Sequence, residues 1–301
     1  MKLTIIIPHK NSAALLRRLL DSIPTELNAQ VIVVDDNSKV EEYEAVKSLV
    51  SSYGFELYKN EGKFAGGARN TALKHANGEW LLFSDADDYL LPAIKDIFEK
   101  YQDMDYDLVY CNVTSIFPET GKEAYRHLHV KGLIEKALSL GDMNCLRCCY
   151  TSPVAKFVKR KVVEDNNILF DEVIAGNDMW FSVRSGLAAD KVACVPEPIY
   201  CITVTGNSIT TTLSEDRFES RLQVSLRVNN LLRKNNMHKY QISVLYFLGK
   251  AYQFGFRYML HVWWCCLKNK SNPFIGIKKM LNISEVMKDR QNTTVSKQAN
   301  C

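Results

Sequence analysis

The feature that most limits what this chain can fold into is an alternation in its first half. Short β-branched runs trade places with helix-patterned stretches, and several of the runs end on polar or acidic residues. Leu3 to Ile7, Val31 to Val34, Phe55 to Tyr58, Trp80 to Phe83 and Asp107 to Cys111 have strand length and strand composition. Between them, helices are expected from a Ser12 cap through Leu15, Leu16, Leu19 and Leu20, from about Glu41 to Ser51, from about Gly66 to His75, and from Pro92 onward. Such alternation builds βαβ units around a mainly parallel sheet. The polar clusters fall just past strand carboxyl ends, where ligands bind in open α/β sheets.

Beyond about residue 205 the pattern turns helical, with Phe218 to Leu232 and Tyr240 to Leu260 as the longest candidates. The expected organisation is an α/β domain over 1–205 and a helical region over 206–301, its polar tail from Asp289 frayed. Apolar residues at 47% and charged residues at 24% place the chain among globular proteins. Lys plus Arg is 38 against 34 for Asp plus Glu, an excess too small to argue for a nucleic-acid partner.

The N-terminal apolar run is far shorter than a signal peptide needs, and Arg257 and His261 interrupt the longest later run, Phe254 to Leu267. A cytoplasmic chain that does not span a membrane is expected. Tyr252, Phe254, Phe256, Tyr258, Trp263 and Trp264 precede Lys268, Lys270, Lys278, Lys279, Lys288 and Arg290. This suits either a helix lying on the inner face of the cytoplasmic membrane or a core helix with a solvated basic side. The 9 cysteines show no repeated spacing and read as reduced thiols. Cys145 and Cys148 have no matching second pair, which argues against zinc.

Three segments carry chemistry. Asp85-Ala86-Asp87-Asp88 sets carboxylates at i and i+2 after a strand, where they can converge on a hard divalent cation or simply form a capping turn. Asp35-Asp36-Asn37-Ser38 can accept hydrogens of a nucleobase or ribose, or can supply a helix N-cap. In Gly62 to Asn70 the glycines permit close backbone approach and Arg69 can reach a phosphate or base, although the ending of a Walker loop is missing.

The ordered set Ile5-Ile6-Ile7-Pro8-x-x-Asn11, Val34 to Ser38, Gly66 to Asn70, Asp85 to Asp88 and Asn177-Asp178-x-x-Phe181 resembles the bacterial inverting glycosyltransferases of family 2, over roughly residues 1 to 210. The resemblance implies a GT-A fold, a Rossmann-like, mainly parallel sheet flanked by helices, with a helical C-terminal region. It implies a nucleotide-sugar donor, a UDP-sugar, whose base and ribose meet Pro8, His9, Asn11, Asp35 and Asp36. Gly66 and Arg69 would line the same pocket, Asp85 and Ala86 would approach the ribose, and Asp87 with Asp85 would hold Mn²⁺ or Mg²⁺. Asp178 would be the general base, with a helix N-cap as its competing role.

The acceptor implied is a glycan hydroxyl, on a lipid-linked intermediate of capsular, exopolysaccharide or lipopolysaccharide synthesis. Two departures stand out: Asn177 replaces the usual Glu, and the segment Tyr200 to Thr210, whose ending Gly206-Asn207-Ser208-Ile209-Thr210 resembles the family's flexible diphosphate-side loop, lacks the Arg or His common there. Two other functions compete. A nucleotidyltransferase making nucleotide sugars would need a Gly-rich loop with Arg where Pro8-His9-Lys10-Asn11-Ser12 stands. A non-catalytic glycan-binding or scaffold protein on this fold would not need carboxylates at positions 85, 87 and 178.

Overall fold

The computed structural model describes residues 1–204, 214–272 and 275. The chain divides into two compact units, Met1–Thr212 and Leu213–Cys301. The first contains β1 (Leu3–His9), α1 (Ala13–Asp21), β2 (Gln30–Asp35), α2 (Val40–Tyr53), β3 (Glu56–Lys59), α3 (Phe64–Leu73), β4 (Trp80–Phe83), β5 (Tyr89–Leu90) and α4 (Ala93–Tyr101). It continues with β6 (Leu108–Ile116), α5 (Leu128–Leu140), α6 (Met143–Cys149), β7 (Lys156–Lys159), α7 (Arg160–Asp165), α8 (Met179–Ala188) and β8 (Val192–Thr203). The second holds α9 (Glu215–Lys234), α10 (Leu245–Lys250) and α11 (Phe256–Lys268).

One sheet organises the first unit, in the order β3-β2-β1-β4-β7-β6-β8-β5. In β1, Leu3 to Ile7 are all buried, as expected of a central strand covered on both faces. Its register sets His9 level with Asp35 and Ile6 level with Phe83. The carboxyl ends of β1, β2 and β4 therefore lie side by side, and the three sequence clusters open at one edge of the sheet.

The half read from strand-helix alternation is parallel, but the rest is mixed. β7 runs antiparallel between β4 and β6, and β5 runs antiparallel to β8. Neither β7 nor β8 announces itself: β7 is four residues with a lysine at each end, and β8 carries Pro196 and Pro198. Proline lacks the ladder N–H, so it belongs at a bulge. The β6–β8 register shifts on both sides of Asn112, opposite Pro198, and Asn112 Nδ2 donates to the Pro196 carbonyl at 3.0 Å.

Several expected caps differ. Ser12 holds the N-cap position of α1 without a side-chain bond, and Glu42 from α2 accepts the Ala13 N–H instead, at 2.9 Å. The N-cap of α2 is Lys39 rather than Asp36, Asn37 or Ser38. In the second unit the expected helix from Tyr240 to Leu260 is broken. α10 ends at Lys250, a 3₁₀ turn covers Ala251–Phe254, and Gly255 at φ +97° turns the chain into α11.

The core of that unit is Phe218, Leu222, Leu226, Val244, Phe247, Ala251, Val262, Cys265 and Cys266, with Phe254 and Tyr258 packed against it. Among the described residues no helix is long and apolar enough to cross a membrane. Gly206 to Thr210, Lys278, Lys279, Lys288, Arg290 and the tail from Asp289 lie outside the described residues.

Candidate functional site

At the ends of β1 and β2, His9 and Asp35 are buried and bonded, Nδ1 to Oδ1 at 3.1 Å. The backbone N–H of Ser12 donates to His9 Nε2 at 3.1 Å, so Nε2 accepts and the ring proton sits on Nδ1, facing the carboxylate. The other Asp35 oxygen accepts the Ser38 N–H at 3.1 Å. Both oxygens of Asp35 are thus committed to shaping the loop.

Asp36 meets Asn60 Nδ2 at 2.6 Å and Lys10 Nζ at 3.4 Å, and its backbone N–H donates to the His9 carbonyl. Asn11, at φ +51°, accepts the Lys39 N–H at 2.8 Å and donates its own N–H to Ser38 Oγ. It ties the loop after β1 to the loop after β2. Pro8 sits beside Val34 in the parallel ladder that ends at this loop pair.

The loop after β4 sorts its three acids. Asp88 turns inward, accepting from Tyr200 Oη at 2.9 Å and from the Thr203 N–H at 2.8 Å. Burial, reinforced by Asp87 and Asp85, pushes its pKa well above the ordinary carboxylate value. Tyr200 Oη also accepts the Asp85 N–H at 2.9 Å, so one phenol fixes both ends of the turn. The Asp87 carbonyl is held by Arg18 and by Thr203 Oγ1, while its carboxylate reaches solvent. Surrounding protein still displaces part of its hydration shell, and the neighbouring Asp85 charge adds to that, so its pKa is also raised.

These are hard oxygen donors with a like-charge penalty between them, a set that suits Mn²⁺ or Mg²⁺. Ala86 is buried between the two acids.

Arg69 joins the loop after β4 to the segment before α8. It is 5% exposed, donating through Nη2 to Asp85 Oδ1 at 2.6 Å and through Nη1 to Asn177 Oδ1 at 2.9 Å, with its guanidinium 5.3 Å from the Phe170 ring. Its Nε is buried without a partner. Asn177, where the family commonly has Glu, is therefore a neutral acceptor for Arg69, and Asp85 is the anionic one.

Gly66 lies in the first turn of α3 for a reason internal to the protein. A Cβ there would sit 1.9 Å from the Asp171 carbonyl oxygen and 3.3 Å from Asn177 Cβ. The close approach expected at this glycine is made by the loop that leads to Asp178.

Asp178 holds the N-cap position of α8, yet its side chain caps nothing. Burial pushes its pKa up and Asp85 adds to that, against the opposing charges of Arg69 and Lys156. Lys156, fully buried, donates to the Tyr150 carbonyl at 2.5 Å and lies 4.3 Å from the Tyr150 ring centre. Burial lowers its pKa well below the usual lysine value. Lys156 and Asn60 escaped the sequence reading, and Tyr200 entered it only as the start of the segment Tyr200 to Thr210, whereas it lies within β8. Asn60 was within reach, since it follows the carboxyl end of β3 as the other clusters follow theirs; Lys156 sits inside a strand that carries no motif.

A separate cavity of about 470 Å³ lies near α3 and α7, lined by residues including Glu61, Lys74, Arg160 and Glu164. None of the carboxylates above lines it, and the chemistry rather than the volume marks the site.

The family model for glycosyl transferase family 2 matches residues 4–166. EpsH of Bacillus subtilis, a putative glycosyltransferase, is 24% identical over 254 residues, 77% of this chain and 70% of that protein. TarS of Staphylococcus aureus, a poly(ribitol-phosphate) beta-N-acetylglucosaminyltransferase, is 26% identical over 208 residues, 66% of this chain but 35% of TarS, so the chain spans about a third of that relative. The crystal structure of TarS 1–349 in complex with UDP-GlcNAc superposes with a TM-score of 0.63 at 20% identity, over 87% of this chain and 79% of that one. That likeness establishes the GT-A fold.

Proposed function

The chain belongs to glycosyl transferase family 2, and from that premise we propose that it moves a sugar from a nucleoside diphosphate donor, a UDP-sugar, to a glycan hydroxyl. The observation that carries this is Arg69, bonded at once to Asp85 on the donor side and to Asn177 beside Asp178. One buried cation thereby holds a metal-type carboxylate loop and a candidate base in a fixed relation.

In this reading Pro8, His9, Asn11, Asp35 and Asp36 form the base and ribose side, with Gly66, Arg69 and Ala86 behind it. Asp85 and Asp87 would hold Mn²⁺ or Mg²⁺, which when bound offsets negative charge on the departing diphosphate. Asp178 takes the acceptor hydroxyl proton as that oxygen attacks the anomeric carbon and the bond to the diphosphate breaks. A single displacement inverts the anomeric centre. The TarS complex with UDP-GlcNAc supports a UDP-linked donor, and the TarS name supports a hydroxyl-bearing polymer, there poly(ribitol-phosphate), as acceptor. A lipid-linked glycan intermediate fits the same logic, with the 1–205 segment catalytic and the 206–301 segment on the acceptor or membrane side.

The test is thermal unfolding with UDP, GDP, CDP and TDP, with and without Mn²⁺, on the native chain and on Asp87→Ala. A nucleotide at 100 times its dissociation constant stabilises by about 2.7 kcal/mol. The expected result is stabilisation by UDP that needs the metal and disappears in Asp87→Ala. Equal stabilisation in that variant removes Asp87 from metal binding, and no response to any nucleotide overturns the donor reading.

Peripheral membrane contact has support in α11. Phe256, Leu260, Trp263, Trp264 and Leu267 are exposed along one helical stripe, while Phe254 and Tyr258, from the same aromatic run, turn into the core. Replacing Trp263 and Trp264 together by Ala should weaken binding to anionic phospholipid vesicles at least about tenfold, since each buried large apolar side chain contributes about 1.5–3 kcal/mol. Unchanged co-sedimentation of the double variant removes α11 from membrane contact.

A further inference from the structure

In the second unit three side chains with metal-binding atoms converge away from the transferase site. His261 and Cys265 lie one turn apart on α11, and Glu219 faces them from α9. His261 Nε2 is 3.2 Å from Glu219 Oε1 and 3.5 Å from Cys265 Sγ, and one ligand atom from each of the three residues lies within 4.8 Å of the others. Zinc bonds of about 2.0 Å to oxygen, 2.1 Å to nitrogen and 2.3 Å to sulfur at tetrahedral angles place N and O about 3.3 Å apart and N and S about 3.6 Å apart. The two His261 separations match those of ligands around one zinc ion, and the Glu219–Cys265 pair lies within 4.8 Å. As hydrogen bonds alone, these contacts would divide one imidazole N–H between the carboxylate and the sulfur.

The surroundings are those of ligands held in place. Tyr258 Oη donates to the other Glu219 oxygen at 2.6 Å, and Gln223 Nε2 donates to Glu219 Oε1 at 2.6 Å and to Cys265 Sγ at 3.6 Å. Outer contacts of this kind orient ligands and tune their basicity. Cys265 is 4% exposed, while Glu219 and His261 are reachable from solvent, which leaves an entry path and an open fourth position.

We propose that Glu219, His261 and Cys265 form a zinc site that fastens α11 to α9. Thiolate, imidazole and carboxylate together favour zinc over the hard cations suited to Asp85 and Asp87. On binding, the Cys265 S–H bond breaks, the proton leaves to solvent and the thiolate joins the metal. Because thiol and imidazole must both be deprotonated to bind, the affinity should increase with pH. Because His261 and Cys265 face α9, the metal fixes the rotation of α11 and holds its Trp263–Trp264 stripe outward. No paired-cysteine pattern reveals the site, since its third ligand lies 42 positions upstream of His261.

The test uses the full chain, stripped with a chelator and titrated with Co²⁺ and then Zn²⁺. One equivalent of Co²⁺ should give a thiolate-to-cobalt charge-transfer band and tetrahedral visible bands, both displaced by Zn²⁺. Asp87→Ala should keep the band and Cys265→Ser should lose it. Tyr258→Phe should weaken zinc about tenfold, as loss of an outer-shell contact does, and His261→Ala by more. Absence of the charge-transfer band in the native chain, or its survival in Cys265→Ser, overturns the proposal, as does equal zinc affinity in His261→Ala.

Discussion

Asp178→Asn should lower turnover by two to four orders of magnitude, about the range that a positioned general base contributes, while leaving metal-dependent UDP binding intact. The amide keeps the shape and cannot take a proton. Stability separates lost chemistry from misfolding. Asp178 has a raised folded pKa, so the native state binds its proton more readily than the unfolded chain does. That contribution to stability is complete below the unfolded pKa and is lost as pH rises through the folded one. At neutral pH the charged carboxylate therefore costs stability, and Asp178→Asn should melt no lower than the native chain. The same shift predicts that kcat/KM falls on the acid side at a pH above the ordinary aspartate range. Unchanged turnover in Asp178→Asn removes the residue from the mechanism, and a lowered melting temperature with lost nucleotide binding assigns it a structural role.

The second large effect is expected at Gly66. Adding one methyl places a Cβ 1.9 Å from the Asp171 carbonyl oxygen, a backbone atom that cannot swing aside. Overpacking of this kind costs about 1–3 kcal/mol. The loop that must retreat carries Asn177 and leads into Asp178, so Arg69 loses its aligned acceptor. A displacement of about 1 Å at a reacting group can cost 10²-fold in rate, and Gly66→Ala should reduce kcat by roughly that factor with a lowered melting temperature. If the glycine serves ligand approach instead, Gly66→Ala should raise the dissociation constant for UDP and leave the fold's stability unchanged.

What the sequence made legible follows from range. β1, β2 and β4 are buried on both faces, so each is a bare apolar run, and the acids past their ends stand out against it. β4 was expected from Trp80 to Phe83 and occupies those residues. β7 is four residues whose buried Lys156 hides the pattern, and it is held in place by partners far along the chain. The inward turn of Asp88 depends on Tyr200 and Thr203, more than a hundred residues away. Adjacent aspartates look alike until that strand arrives. The aromatic run near residue 256 divides in a similar way, because helix phase after the Gly255 break turns Tyr258 toward Phe218 and leaves Phe256, Trp263 and Trp264 in solvent.

The strand order also bears on how the chain is made. β4 pairs with β1 on one side, but its other neighbour is β7, which leaves the ribosome only after about 75 further residues, from Phe83 to Lys159. Until then Trp80 to Phe83 present an unpaired apolar edge, the kind of surface that recruits a second chain. A nascent or truncated product that stops before Lys156 should therefore self-associate, even though it already contains Asp35, Asp85 and Asp87. The segment up to β4 is therefore not expected to behave as a detachable module, and the short lysine-ended strand is what closes its open edge.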